Sequence, residues 1–256
     1  MMLITGATGN VGREAMRLLG DRAAGLSRDP ARNTPLETIA HVEAVLYSPR
    51  AATPELLARV TERGAKRVVV LSAATVSHPV GDPRFIAEFT AAEQAAQRSG
   101  LEWTILRCTD FAANALAWAP QLRRGGVVRG AYAAAVTSTV DERDVAAVAV
   151  RALLEPEHAG RTYLLTGPQP LTQAAKVDAI GRATGRELSF AEITPEQVRQ
   201  GMLAAGLPAE IPDRLLGSLA DYARAPGPSS TTVADVLGRP ARTFAEWATD
   251  HAEYFR

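Results

Sequence analysis

Cysteine is nearly absent from this sequence. The single thiol, Cys108, excludes an intrachain disulfide and fits a reducing compartment. No apolar run approaches the roughly 20 residues that cross a bilayer, and the chain enters an apolar strand pattern without a charged leader. Neither export nor membrane insertion is expected, and the expected location is cytoplasmic. Neither charge predominates: 28 Lys plus Arg balance 28 Asp plus Glu, which leaves no basic field for nucleic acid. The four histidines, His41, His78, His158 and His251, are scattered without ligand spacing, so no metal site is expected. Internal repeats and low-complexity tracts are also missing. What is present is bulk. The 256 residues, 46% apolar and 22% charged, suffice for one large α/β domain with a modest second lobe.

The chain begins with the stretch that organises it, Leu3-Ile4-Thr5-Gly6-Ala7-Thr8-Gly9-Asn10-Val11-Gly12. A short apolar run leads into three glycines, and a helical pattern follows. Val11, Ala15, Leu18 and Leu19 share one face of that pattern, and Arg13, Glu14 and Arg17 share the other. A strand, a glycine turn and a helix N-terminus together make an anion site. The helix offers unpaired N–H groups and the positive end of its dipole, and the glycines let a pyrophosphate approach the backbone. Gly6, Thr8, Gly9, Asn10, Val11 and Gly12 are therefore the first candidates for dinucleotide binding.

The spacing is Gly-x-x-Gly-x-x-Gly. It resembles the short-chain dehydrogenase/reductase superfamily and, within it, the atypical, NmrA-like branch. The resemblance implies a nucleotide-binding sheet with a nicotinamide cofactor across its C-terminal edge. It does not by itself imply an enzyme, because the branch includes redox-sensing regulators.

After the first helix, Arg22 to Ser27 reads as a second strand whose end lies over the adenosine ribose. Arg28 at that end, with Arg32 in reach, favours NADP(H) over NAD(H), and Ser27 adds a polar contact. Asp29 is the rival, suited to a ribose 2′-hydroxyl. Only about a dozen residues separate this point from the next strand, His41 to Tyr47, which is short for a further helix and strand. A sheet one strand short of the family norm is expected. Tyr47 and Ser48, at the end of that strand, are candidate cofactor contacts.

Thr53-Pro54-Glu55 marks a helix start and Gly64 its stop. Arg67 to Leu71 reads as a central parallel strand buried on both faces and ending at Ser72. Trp103 to Arg107 is another strand, followed by Cys108-Thr109-Asp110-Phe111 and Asn114, which resemble the family's loop at the nicotinamide end. Cys108, Thr109 and Phe111 are candidate contacts there. An Ala-rich helix from Val140 and a strand at Gly160 to Gly167 follow, and from Pro168 onward the pattern is mostly helical. The expected architecture is a doubly wound, Rossmann-type parallel sheet over residues 1–166. A small, mostly helical substrate-binding lobe occupies 167–256, with its last helix packed back on the sheet.

Short-chain reductases usually place a Tyr-x-x-x-Lys pair on a helix and a serine on the preceding strand end. Aligning the helix 84–98 on Glu93 and Ser99-Gly100 puts Phe85 at the tyrosine position and Phe89 at the lysine position, while Ser72 keeps the serine. Phe85, Phe89, Ala92 and Ala96 also form a stripe of the kind that packs a core. Neither ring can donate a proton. A positioned general acid is typically worth ~10²–10⁴ in rate, so the acceptor must manage without one. Quinones, cationic dyes and iminium ions, and aromatic polyketide ketones with their own phenol all qualify. The leading expectation is an NADPH-dependent reductase of a small conjugated or aromatic acceptor, with Ser72 as a polar contact and Tyr47 as a stand-in donor. The alternative is a non-catalytic NADP(H)-binding sensor. The sequence gives no indication of oligomeric state.

Overall fold

The computed structural model describes residues 1–27 and 34–256. Its first half alternates strands and helices: β1 (Met2–Thr5), α1 (Asn10–Leu19), β2 (Ala23–Leu26), β3 (Ala44–Tyr47), α2 (Glu55–Glu62), β4 (Arg67–Ala73), α3 (Pro83–Arg98) and β5 (Glu102–Cys108). Then come α4 (Ala119–Gly125), β6 (Val127–Gly130), β7 (Val136–Thr137), α5 (Glu142–Leu154), β8 (Arg161–Leu165) and β9 (Leu171–Thr172). The chain closes with α6 (Gln173–Thr184), β10 (Ser189–Glu192), α7 (Pro195–Ala204), α8 (Glu210–Arg224), α9 (Thr232–Leu237) and α10 (Phe244–Asp250).

Six strands form one all-parallel sheet in the order β2-β1-β3-β4-β5-β8. Successive side chains along a strand face opposite sides, and both sides of this sheet are buried. Ile4, Ala44, Leu46 and Val69 point to the face covered by α1 and α5. Leu3, Val45, Tyr47, Val68 and Val70 point to the face that holds Leu56, Leu57 and Val60 of α2 and Ala92 and Ala96 of α3. Continuous apolar strands are what a sheet covered on both faces demands, and the doubly wound fold follows.

Among the described residues β2 is the edge of the sheet. Its Gly25 carbonyl accepts from Thr34 N, and one short helical turn at Leu36–Thr38 leads on to β3. Among the described residues of this stretch no further strand intervenes. In α1 the buried positions are Val11, Gly12, Ala15 and Leu19, whereas Leu18 is exposed and does not share their face.

The lobe has a core of its own, and both halves of the chain supply it. Ala112, Ala115, Leu122 and Val128 pack with Val177, Ile180, Phe244, Trp247 and Phe255. β6 pairs with β10 and β7 with β9, across the same division. Trp247, fully buried, donates its indole N–H to Glu142 Oε1 at 3.0 Å, and the Asp141 carboxylate caps α5 by accepting from Arg143 N. Such a cap contributes about 1 kcal/mol. Asp141 and Asp144 also pair with Arg242 and Arg239, so α5 is stitched to the segment before α10. α9 packs on α5 and β8, and α10 packs on α6.

Candidate active site

The glycine turn folds as its spacing requires. Gly6 adopts a left-handed conformation at φ +69°, and its carbonyl accepts from Gly9 N at 2.8 Å. A Cβ on Gly12 would stand 2.1 Å from Gly6 O, so only glycine lets α1 start so close to the turn. No side chain caps α1, and no acid lies in its first turn. Its N–H groups and positive dipole end therefore face the cleft unneutralised. Thr5 fixes the turn against β3: its hydroxyl donates to Leu46 O at 3.0 Å and accepts from Ser48 N at 2.7 Å.

A cleft of about 1120 Å³ runs from this turn along the C-terminal ends of the strands to the lobe. Sites for one small molecule span roughly 300–1,000 Å³, so this space suits a dinucleotide with a second ligand. Gly6, Thr8, Gly9, Asn10, Val11 and Gly12 line one end, and Ser48, Ser72, Cys108, Thr109 and Phe111 line the middle. Thr75, just past β4, has a buried hydroxyl without a hydrogen-bond partner among the described residues, and it borders the same space. The glycine cradle and this orphaned hydroxyl fit a nicotinamide dinucleotide.

Two expected contacts, Tyr47 and Ser27, do not line the cleft. Tyr47 is 1% exposed and packs in the core on the α2 side of the sheet, because strand alternation turns it away from its neighbour Ser48. Burial also pushes its phenol pKa up, with Glu55 and Glu88 adding to the shift. It cannot serve as a stand-in proton donor. Ser27 is buried and is not part of the cleft wall. Arg28 and Arg32 lie outside the described residues.

Ser72 borders the cleft, but its hydroxyl is committed. It donates to Glu93 Oε1 at 2.6 Å, and Glu93 holds Arg107 through two further bonds of 2.9 and 2.7 Å. Cys108 is buried, and burial raises its thiol pKa to about 12, so it is not a nucleophile near neutral pH. His78 sits exposed on its loop beside Ser77 and does not line the cleft. The phenylalanine stripe divides in two. Ala92 and Ala96 pack in the core, whereas Phe85 and Phe89, edge to face at 4.8 Å, look into the cleft.

Asp110 belongs to the loop read from the sequence, but its partner Lys176 and one face of α8 escape sequence reasoning. Asp110 accepts from Asn114 Nδ2 at 2.7 Å, Lys176 Nζ at 2.9 Å and Thr139 Oγ1 at 3.3 Å. Lys176, one of only two lysines in the chain, is 2% exposed and donates also to Thr137 Oγ1 at 2.7 Å. Burial alone would raise the Asp110 pKa, but the Lys176 ammonium and the three hydrogen bonds outweigh it and hold the carboxyl below its ordinary range. On that face of α8, Ile211, Arg214, Leu215, Ser218, Leu219 and Tyr222 recur at helical spacing along the cleft. α8 is seated by Gly81, whose N–H donates to Asp221 Oδ2 at 2.9 Å and whose backbone passes close to Gly217. The Tyr222 phenol is raised to about 12 by burial and by the charges of Asp110 and Asp221.

Comparisons with known proteins agree with this geometry. Residues 48–156 match the model of the NAD(P)H-binding family. A (4-alkanoyl-5-oxo-2,5-dihydrofuran-3-yl)methyl phosphate reductase of Streptomyces griseus is 35% identical, across 100% of this chain and 99% of the relative. The chain belongs to the NmrA-like branch of the atypical short-chain dehydrogenases/reductases. Another relative, the NAD(P)H azoreductase of Xenophilus azovorans, is 33% identical over 100% of this chain and 99% of its own. Both alignments, at 281 and 290 positions, are longer than the 256-residue chain, so the relatives carry residues that this member of the branch lacks. In fold it matches an NADPH-dependent quinone oxidoreductase from Escherichia coli complexed with NADPH (TM-score 0.83, 22% identity, 98% of this chain and 99% of that one). The protein is an NAD(P)H-dependent reductase of the atypical type. Among the described residues no helix is long and apolar enough to cross a membrane.

Proposed function

We propose that the protein uses NADPH to reduce a small conjugated or aromatic acceptor, a quinone or a polyketide-type aromatic ketone, without a Tyr/Lys pair. The observation that carries this reading is the pair Phe85 and Phe89, which offer the cleft two rings where the superfamily usually offers an acid and an ammonium. When bound, the reduced nicotinamide supplies the hydride. The glycine turn and the α1 N-terminus hold the pyrophosphate, and Thr75 has a free hydroxyl for the carboxamide end. Arg28 and Arg32 favour the 2′-phosphate of NADPH over the bare ribose of NADH.

The far wall is mostly apolar. Phe85, Phe89, Met202, Leu207, Ile211, Leu215 and Leu219 exclude water from a flat acceptor. A cleft open beside the nicotinamide end favours turnover over a sensor that a partner must cover. The Streptomyces relative, by its name, reduces a methyl phosphate ester that carries an alkanoyl-substituted unsaturated lactone, and the Xenophilus relative is named for azo compounds. Acceptors of both kinds are conjugated.

Fluorescence titration with NADPH and NADH, followed by a quinone and aromatic-ketone panel, tests the reading. Tighter binding of NADPH with turnover of at least one conjugated acceptor is expected. Firm NADPH binding with no turnover above solvent background across the panel would sink it.

A further inference from the structure

The inner face of α8 is apolar or uncharged except at one position. Arg214 is half-buried in the cleft wall, and its guanidinium carbon lies 4.5 Å from the centroid of the Phe85 ring. Arg50, from the loop after β3, approaches the same ring at 5.9 Å. Arg50 has a partner, Glu88, at 3.3 Å. Among the described residues Arg214 has none: no hydrogen bond or ion pair engages its guanidinium, and the ring is its sole contact of that kind. Glu88 and Glu210 act on the Arg214 charge from a distance, but among the described residues no carboxylate engages it directly, so its donors are left to a cleft with space for a ligand.

Such an arrangement is costly as it stands. Partial burial and the neighbouring Arg50 charge both act against the Arg214 cation and lower its pKa. A bound anion reverses both effects. Guanidinium forks match the geometry of oxyanions, two parallel N–H donors to two oxygens, and Phe85 holds the Arg214 plane in place.

We propose that Arg214, with Arg50, binds an oxyanion carried by the acceptor (phosphate, sulfonate or carboxylate), so that the preferred substrates are anionic conjugated molecules rather than neutral ones. This rests on the reading of the cleft as an acceptor site. The other source of the same chemistry is the cofactor's own phosphates, since Arg50 adjoins Ala51, which packs against the glycine turn at Gly6.

The test compares 1,2-naphthoquinone-4-sulfonate with 1,2-naphthoquinone at saturating NADPH, in the wild type and in Arg214→Gln. Taking the ratio of the two kcat/KM values in each protein cancels the different reactivities of the quinones. The ratio should fall about tenfold or more in Arg214→Gln, the size of a lost charge-assisted hydrogen bond, and recover in part in Arg214→Lys. Calorimetric binding of phenyl phosphate to the NADP⁺ complex gives a readout without turnover, and Arg214→Gln should weaken it by a similar factor. An unchanged ratio together with unchanged phenyl phosphate affinity overturns the proposal. So does an equal loss of NADPH affinity, which would assign Arg214 to the cofactor. If the wild type reduces neither quinone yet binds phenyl phosphate through Arg214, the anion site stands and the acceptor reading falls.

Discussion

The hydroxyl of Ser72 lies 2.6 Å from Glu93 Oε1 and donates to it. The serine of the usual reductase site is thus kept in position but turned to a structural task. Glu93 is 5% exposed and would be an uncompensated buried charge without its hydrogen-bond donors. Ser72→Ala should cost about 1–2 kcal/mol in urea unfolding, since it removes one donor from a buried carboxylate. Arg107→Ala, which removes the counter-charge, should cost about 3 kcal/mol or more. Equal, negligible losses for both would show that Glu93 does not need them.

Gly12→Ala should abolish measurable NADPH binding in a fluorescence titration. The added methyl must displace Gly6 O from 2.1 Å, and with it the start of α1. Gly9→Ala meets the same carbonyl at 3.1 Å and should weaken binding far less. Similar affinities for the two variants would contradict this account of the turn.

Lys176→Met leaves Asp110 beside the cleft with its main counter-charge removed. The expected loss is about 3 kcal/mol, softened by the partial exposure of Asp110. The sign of the pH effect follows from the lowered Asp110 pKa. In the wild type its contribution is present above the unfolded carboxyl pKa, about 3.9, and is lost as pH falls through the lower folded value. Without Lys176 burial dominates and the folded pKa rises. The acid limb of a Tm-against-pH curve should then move to higher pH, and an unmoved limb would count against the pairing.

Tyr222 is the phenol of the cleft wall, and at a pKa of about 12 it keeps its proton across the working range. Tyr222→Phe should lower kcat for a ketone acceptor by about a hundredfold, the usual worth of a positioned donor. Quinone reduction, which yields a stabilised phenolate, should lose much less. Identical losses on both acceptors would mean that Tyr222 only packs.

The parts of the site legible in the sequence are those built from neighbours in the chain. The glycine turn, α1 and the buried strands each announce themselves within ten residues. The same local alternation, followed one step further, places Tyr47 on the Leu3 and Val45 face of the sheet, away from Ser48. Asp110 and Lys176 stand 66 positions apart, and Phe85 meets Arg214 across more than a hundred. Each half of such a pair reads alone as an ordinary charge or an ordinary core ring. The seating of α8 against Gly81 brings Arg214 to Phe85, and that depends on a close backbone approach which no periodicity encodes.

That seating also divides labour along the chain. The groups that would grip the dinucleotide begin within the first dozen residues, while six positions of a single late helix face the opposite wall. Variation confined to 211, 214, 215, 218, 219 and 222 would reshape the acceptor wall without touching the strand, turn and helix that start the fold. The scaffold can therefore acquire a new substrate by editing one surface-laid helix, with its redox chemistry carried over intact.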